Sequence, residues 1–405
     1  MNIAVVAPET SAWEDEYRAG VILVKALARL GHRAWLVASI FHEGRPAVDP
    51  DTVEKSVDGF VEVERDPSGV PAIRVLSARP LLPGGRASLR SFAKVLMSLE
   101  ERLGLDAVVV LSSFWNGPEE VAKWAAVRRA LVEAGETSKR AAFVYVPLYF
   151  PRTSRLGPLE RTSRAMWASV ALPEVLRTAD GVVVCCRAEA EELRRAKRIV
   201  ESAAWVDPDV AEAVATARPL DVEGFDHVVA YVGPLEEERN VKALVKLADR
   251  LAGVAAVAVA GAGSWEERLR REAARRRNLL VLGPLSLGEL AGLMTKATAA
   301  VDFSFYEPAA FRAQEFLYAG VPVAASPGSK AAWYISDGVE GIHLRNPDDV
   351  EAAARWVAEL ARRPEVWEEM KKRARARGEG LVAIATAKAV AKLAEEILTG
   401  GSRAP

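Results

Sequence analysis

Short β-branched runs alternate along the whole chain with longer stretches in which apolar side chains return every three or four positions. A period near two inside the short runs and near 3.6 in the long ones predicts a parallel sheet covered by helices. In the first half the expected strands are Asn2–Pro8, Arg33–Ser39, Asp106–Ser112, Ala142–Leu148 and Gly181–Cys186. Helices are expected over Tyr17–Leu30, stopped by Gly31, and over Leu89–Leu103, with Leu89, Phe92, Leu96, Leu99 and Leu103 on one face. That face suits packing on a sheet, with a membrane surface as the alternative. A second series of strands runs through His227–Gly233, Ala255–Gly261, Leu279–Gly283, Ala299–Ser304, Pro322–Ser326 and Gly341–Leu344.

Between the series lies Trp205–Gly224, punctuated by prolines and read as a linker. The expected organisation is a Rossmann-like domain over 1–204, the linker over 205–224, a second Rossmann-like domain over 225–375, and a C-terminal helix over 376–405 packing back on the first domain. A chain of 405 residues is too long for one ordinary core, which agrees with two domains. Two such doubly wound domains would hold a ligand between them, at the carboxyl ends of their strands.

Charge changes the picture by exclusion. With 54 basic and 55 acidic residues, nothing announces a nucleic acid or an anionic membrane as partner, and small solutes are expected. The opening MNIAVVAPE reads as a strand rather than a signal peptide, and no run has the length of a membrane span, so a cytoplasmic protein is expected, peripheral membrane association remaining open. Adjacent Cys185 and Cys186 suit neither a structural disulfide nor a zinc site. A single glutamine, Gln314, among abundant charges points to a thermostable protein.

Alternating α/β first suggests a dinucleotide-binding dehydrogenase, but the glycine fingerprint is missing. APETSAWEDE has no glycine before Gly20, and GAGSWE has Glu266 where a third glycine belongs. More informative is FYEPAAFRAQEFLYAGVPVAAS, Phe305–Ser326, with Glu307 and Glu315 separated by seven residues. Pro308 suits a first helical position and Gly320 a stop, which predicts a helix over Pro308–Ala319. Its N-terminus would follow a strand directly, with free N–H groups and a positive dipole end suited to phosphate. The two carboxylates, as acceptor-only groups, suit sugar hydroxyls. The alternative is structural: Glu307 capping the helix and Glu315 pairing with Arg312.

The order of these signals resembles the retaining GT-B glycosyltransferases of the family 4 type. The likeness runs through YVGPLEEERNVKALV, AVAGAGSWEERL, VLGPLS with GELAGL, VDFSFYEPAAFRAQEFLYAGVPVAAS and SDGVEGIHLRNPDD, and more faintly through ALARLGH and ADGVVVCCRAEAEELRR. It implies a GT-B architecture, two Rossmann-like doubly wound domains facing a cleft, and transfer from a nucleotide-sugar co-substrate with retention and without metal or other cofactor. Through the resemblance Glu307 contacts the donor sugar hydroxyls and Glu315 the ribose hydroxyls. Arg239 and the N–H groups near Ala309 and Ala310 meet the diphosphate beside Gly233.

Departures from the family pattern are specific. Ala309-Ala310 stands where the family usually has Phe-Gly. Pro234 takes the place of its arginine and Arg239 that of its lysine, with Glu236, Glu237 and Glu238 crowding the same loop. Glu14-Asp15 stands at the glycine pair of the first loop, and Pro147 at the common histidine. Arg312 could restore the missing charge, a solvated arginine being the alternative. Lys330 is a candidate phosphate ligand, a solvated lysine being its alternative. Arg152 and Arg155, in a basic segment after the fourth strand, are candidates for the acceptor side and would suit an anionic acceptor. No metal constellation is visible. The expected function is sugar transfer from a nucleotide-sugar to an unidentified acceptor, with a catalytically degenerate nucleotide-binding module of the same fold as the alternative.

Overall fold

The structure, a computed structural model, describes the chain except residues 8–13, 43–44, 47, 55, 57–59, 67, 79–87, 90–91, 113–116, 138–139, 149–157, 223, 308 and 401–405. It divides into two compact units, one formed by Met1–Ala204 with Ala383–Pro405 and the other by Trp205–Val382.

The first unit is built on an eight-stranded sheet. In chain order its strands are β1 (Asn2–Val6), β2 (Arg33–Ser39), β3 (Phe60–Val63), β4 (Ala72–Val75), β5 (Ala107–Leu111), β6 (Ala142–Val146), β7 (Gly181–Val184) and β8 (Ile199–Glu201). Their spatial order is β8-β7-β6-β5-β1-β2-β4-β3. Only the edge pair β3–β4 is antiparallel. Runs such as AVVVL and AFVYV are buried at every position, as strands covered on both faces require. The helix Phe92–Leu103 begins three residues later than its apolar pattern predicts, and it turns Phe92, Val95, Leu96 and Leu99 into the core beside Trp124, Phe143 and Tyr145. Sheet packing therefore accounts for that face. The chain's last helix, Ile384–Leu398, belongs to this unit, and Leu393 packs so closely on Gly181 that a Cβ there would lie 2.6 Å from it.

A buried polar network ties the first helix to the sheet edge. The Tyr17 hydroxyl donates to the Asp66 carboxylate, while Arg74 pairs with Asp66 at 2.9 Å and donates to the Ser39 carbonyl at 2.8 Å. The Arg74 and Asp66 side chains are 1% and 0% exposed. Charges so placed depend on being paired and hydrogen-bonded.

The second unit carries a six-stranded, wholly parallel sheet of β9 (Val228–Val232), β10 (Ala256–Ala260), β11 (Leu279–Gly283), β12 (Ala299–Asp302), β13 (Val323–Ala325) and β14 (Gly341–His343), ordered β11-β10-β9-β12-β13-β14. Residues 205–224, read from the sequence as a linker, contain the helix Pro208–Thr216, capped by Asp207 and packed within this unit. The helix Pro364–Glu379 also stays here, so the stretch from 376 onward is divided between the two units. Its arginines finish other helices: Arg375 donates to the Tyr318 carbonyl at 2.5 Å and Arg377 to the Tyr334 carbonyl at 3.0 Å. Cations there satisfy orphan carbonyls at negative dipole ends.

Asp66→Ala should destabilise the first unit by about 3–5 kcal/mol, because it removes a buried carboxylate that pairs with the Arg74 guanidinium and accepts from the Tyr17 hydroxyl. Urea melts of both proteins measure this. Burial and the bond to Asp66 push the Tyr17 hydroxyl up to about 12 from its ordinary value of 10. A raised pKa means that this contribution is complete below pH 10 and is lost as pH climbs from 10 towards 12. Tyr17→Phe should flatten that part of the stability-versus-pH curve.

Candidate functional site

Strand order in the second sheet reverses between β9 and β12. In open α/β sheets, ligands gather at such a switch point, outside the carboxyl ends of the strands. The chain leaves β9 through Gly233–Asn240 and β12 through Phe303–Ala310, and the two loops are stitched by the Phe305 N–H donating to the Glu238 carbonyl at 2.8 Å. Two glycines allow the remaining loops to close in. A Cβ on Gly261 would stand 1.9 Å from the Gly233 carbonyl oxygen, and one on Gly328 would stand 2.4 Å from that of Phe305. At Gly233 itself a Cβ would meet the Tyr231 hydroxyl at 3.2 Å. That hydroxyl donates to the Pro234 carbonyl at 2.7 Å, and burial pushes its pKa upward, so it stays a neutral donor that pins the turn.

Arg239 and Glu307 face each other across the switch point and form an ion pair, their side chains 11% and 14% exposed. Arg239 also donates to the Tyr306 carbonyl at 3.3 Å. The other Glu307 oxygen accepts from the Ala309 and Ala310 N–H groups at 3.0 and 2.8 Å. The helix that follows runs over Phe311–Tyr318, not from Pro308 as its proline predicts; Pro308 lies outside the described residues. Ala310 is its N-cap, with φ +53° and ψ +37°. That left-handed turn explains why the family pattern has glycine there: the conformation costs a Cβ-bearing residue roughly 1–2 kcal/mol. The N–H groups expected to be free for phosphate are thus occupied by the Glu307 carboxylate.

Glu315 is fully buried and accepts from Arg312 at 2.6 Å, so Arg312 spends a donor on it rather than standing solvated. The structural alternative foreseen for the two glutamates, a cap and a helical pair, is therefore present in these bonds. Lys330 is not the solvated lysine of the alternative reading. It is 1% exposed, its ammonium lies 5.7 Å from the centre of the Trp333 ring, and its N–H donates to the Glu307 carbonyl at 2.9 Å.

The acidic loop is less repulsive than its sequence suggests. Glu236 turns onto Ser264, accepting from its N–H at 3.0 Å and its hydroxyl at 2.5 Å, and Glu237 lies 3.7 Å from Lys242. Arg152 and Arg155 lie outside the described residues. Sequence reasoning passed over Asp302, Ser326 and Ser329. Ser329 donates to Asp302 at 2.6 Å and Ser326 to the Ser304 carbonyl at 2.5 Å, which locks the loops after β12 and β13 together. A polar residue closing an otherwise apolar strand, as in AAVD and VAAS, was the available signal.

Among the described residues, three non-glycine positions have positive φ: Leu148, Asn240 and Ala310. Each follows the carboxyl end of a strand: β6, β9 and β12, respectively. Strained backbone of this kind persists where the surroundings over-determine it, and it concentrates at ligand sites. Leu148 stands next to Pro147, at the strand end where the resemblance places a histidine.

Comparison with known proteins agrees with this fold. Residues 218–377 match the family model of glycosyl transferases group 1. Sucrose-phosphate synthase from Thermosynechococcus elongatus superposes with a TM-score of 0.67 at 18% identity, covering 99% of this chain and 100% of that one. A glycosyltransferase from Rickettsia africae gives 0.64 at 13% identity, with 98% of each chain covered. HepE from Anabaena, in complex with UDP, gives 0.61 at 14% identity over 98% of this chain and 100% of that one. No curated protein matches the chain by sequence.

Ala310→Gly should raise stability by about 1 kcal/mol, since it removes the left-handed penalty at a position whose φ is already fixed. Thermal melts without ligand measure it, and an unchanged or lower midpoint would show that the turn carries no strain. The chain has the GT-B architecture, and within it residues 218–377 are similar to the glycosyl transferases group 1 family.

Proposed function

We propose that the protein is a glycosyltransferase that moves a sugar from a nucleotide-sugar donor to an acceptor, with retention at the anomeric carbon and without a metal ion. The observation that carries the reading is the convergence at the switch point of Arg239 and two successive backbone N–H groups on the Glu307 carboxylate, with Glu315 on the helix that follows. A departing diphosphate needs preorganised positive charge, and a guanidinium with backbone N–H groups supplies it. Lys330 and Arg312 add cations beside the same helix. Glu307 serves the donor sugar hydroxyls and Glu315 the ribose. The acceptor belongs to the first unit, where Arg152 and Arg155 suit an anionic group. Because HepE was crystallised with UDP and UDP-glucose, uridine nucleotides come first among donors to test.

Pro147 and Pro234, where the resemblance has histidine and arginine, favour a second reading: a nucleotide-binding module without turnover. One donor panel separates the two. A ligand at one hundred times its dissociation constant stabilises by about 2.7 kcal/mol, so melts with UDP, GDP, ADP and their sugars should show one preferred base. Transfer or hydrolysis with that sugar nucleotide supports the enzyme, and binding without either supports the module.

Glu315→Ala should weaken the preferred nucleotide-sugar by about 1–3 kcal/mol, the cost of removing a buried acceptor from its hydroxyl partners. Unchanged affinity in a calorimetric titration would remove Glu315 from the site. Pro234→Arg should tighten diphosphate binding several-fold at low salt, with the gain fading as salt screens it, because Glu236 is engaged by Ser264 and leaves the added cation unopposed. If affinity does not rise, the diphosphate does not pass the loop after β9.

A further inference from the structure

Three donors converge on one carboxylate at the switch point. Glu307 accepts from the Ala309 and Ala310 N–H groups on one oxygen and pairs with Arg239 on the other. These are the groups assigned above to the donor diphosphate, and both sides of the pair are nearly buried. A phosphate entering this place would find its contacts taken by an anion of the protein's own. Glu307 is also well placed to leave. Its carbonyl and N–H are held by the backbone, through Lys330 N and the Gly328 carbonyl, so the side chain can swing about its own bonds while the main chain stays anchored.

We infer that Glu307 is a placeholder for the donor diphosphate: in the unliganded protein its carboxylate occupies the phosphate position, and diphosphate binding displaces it toward the sugar. The inference rests on the donor reading of this site. It gives one residue two successive positions. While the site is unliganded, the carboxylate neutralises Arg239 and caps the Phe311 helix, so neither buried group lacks a partner. After exchange, the more highly charged diphosphate takes over those donors, and the carboxylate is released as an acceptor for hydroxyls. Only a ligand carrying both a diphosphate and a sugar satisfies both ends. A bare phosphate must expel a carboxylate that then has no partner, which penalises small anions and favours the intact donor. Ala310 contributes by the turn that aims two N–H groups at a single point.

The test compares the wild-type chain with Glu307→Gln and Glu307→Ala by calorimetric titration at low salt, using inorganic pyrophosphate, UDP and uridine. Glutamine keeps an oxygen for the two N–H groups and so preserves the cap; cooperative melts check that each variant is folded. Pyrophosphate and UDP should bind both variants about three- to tenfold more tightly than the wild type, because a competing charged contact is gone. Uridine should be unaffected, and sugar transfer should fall. If the wild type binds UDP and the variants bind it and pyrophosphate equally or more weakly, the placeholder role is wrong while the donor reading stands. Tighter pyrophosphate binding by the variants, with no uridine, guanosine or adenosine nucleotide bound by any of the three proteins, supports the placeholder and overturns the donor reading. Absence of all binding overturns both.

Discussion

The Arg239–Glu307 pair is the interaction on which the second unit's working edge depends. It joins the loop after β9 to the loop after β12 at the one place where the sheet's strand order reverses. In open α/β sheets a crevice forms at such a place because successive connections run to opposite sides. Burial makes the pair consequential: either charge alone, so little exposed, would carry a desolvation cost several times that of a surface charge. The protein meets this cost with backbone contacts, the Tyr306 carbonyl on the arginine and two N–H groups on the carboxylate.

Around that pair the loops are set by close approach as well as by the apolar packing of Leu235 and Phe303. Gly261 and Gly328 let backbone touch backbone, while Tyr231, Asp302, Ser326 and Ser329 spend their hydrogen bonds on neighbouring turns. Support comes from behind as well. The Phe311–Tyr318 helix is held at its C-terminus by Arg375, whose guanidinium donates to the last carbonyl and lies 4.2 Å from the centre of the Tyr318 ring. Its N-terminus opens on a left-handed alanine. A short helix fixed at one end and strained at the other can present N–H groups to an anion without drifting, and rigid placement of this kind lets electrostatic stabilisation work.

Much was legible in the chain itself. Runs such as AVVVL, AFVYV, VVAYV and AVAVA determined parallel strands, because side chains buried on both faces leave no polar alternation. The order of strands, glycines and the two glutamates carried the resemblance that implied the GT-B architecture, and it pointed to a candidate site at the strands' carboxyl ends. What the strand pattern missed lay at the edges. β3, β4 and β8 are short and partly polar, and β3 runs antiparallel, so no periodicity announced them. The helix in Pro208–Thr216 was hidden by flanking prolines that suit a linker equally well, since proline at a first helical position and proline in a connection look alike without a partner surface.

Tertiary structure alone decided the electrostatics of the site. Nothing in EPAAF says that Glu307 reaches Arg239, which lies 68 residues earlier. Nor does AVDFS say that its aspartate receives the hydroxyl of Ser329. Nor could PGSKAAW choose between a phosphate ligand and a solvated lysine at Lys330, which the close approach of the loop after β13 to the loop after β12 leaves 1% exposed. Two of the three acids crowding the loop after β9 are directed elsewhere, Glu236 onto Ser264 and Glu237 toward Lys242. Sequence determines which residues are apolar and where the backbone can turn, so it determined the sheet and its helices. Charge interactions depend on distances between loops that are remote in the chain, and those distances exist only once the sheet has brought the loops to one edge.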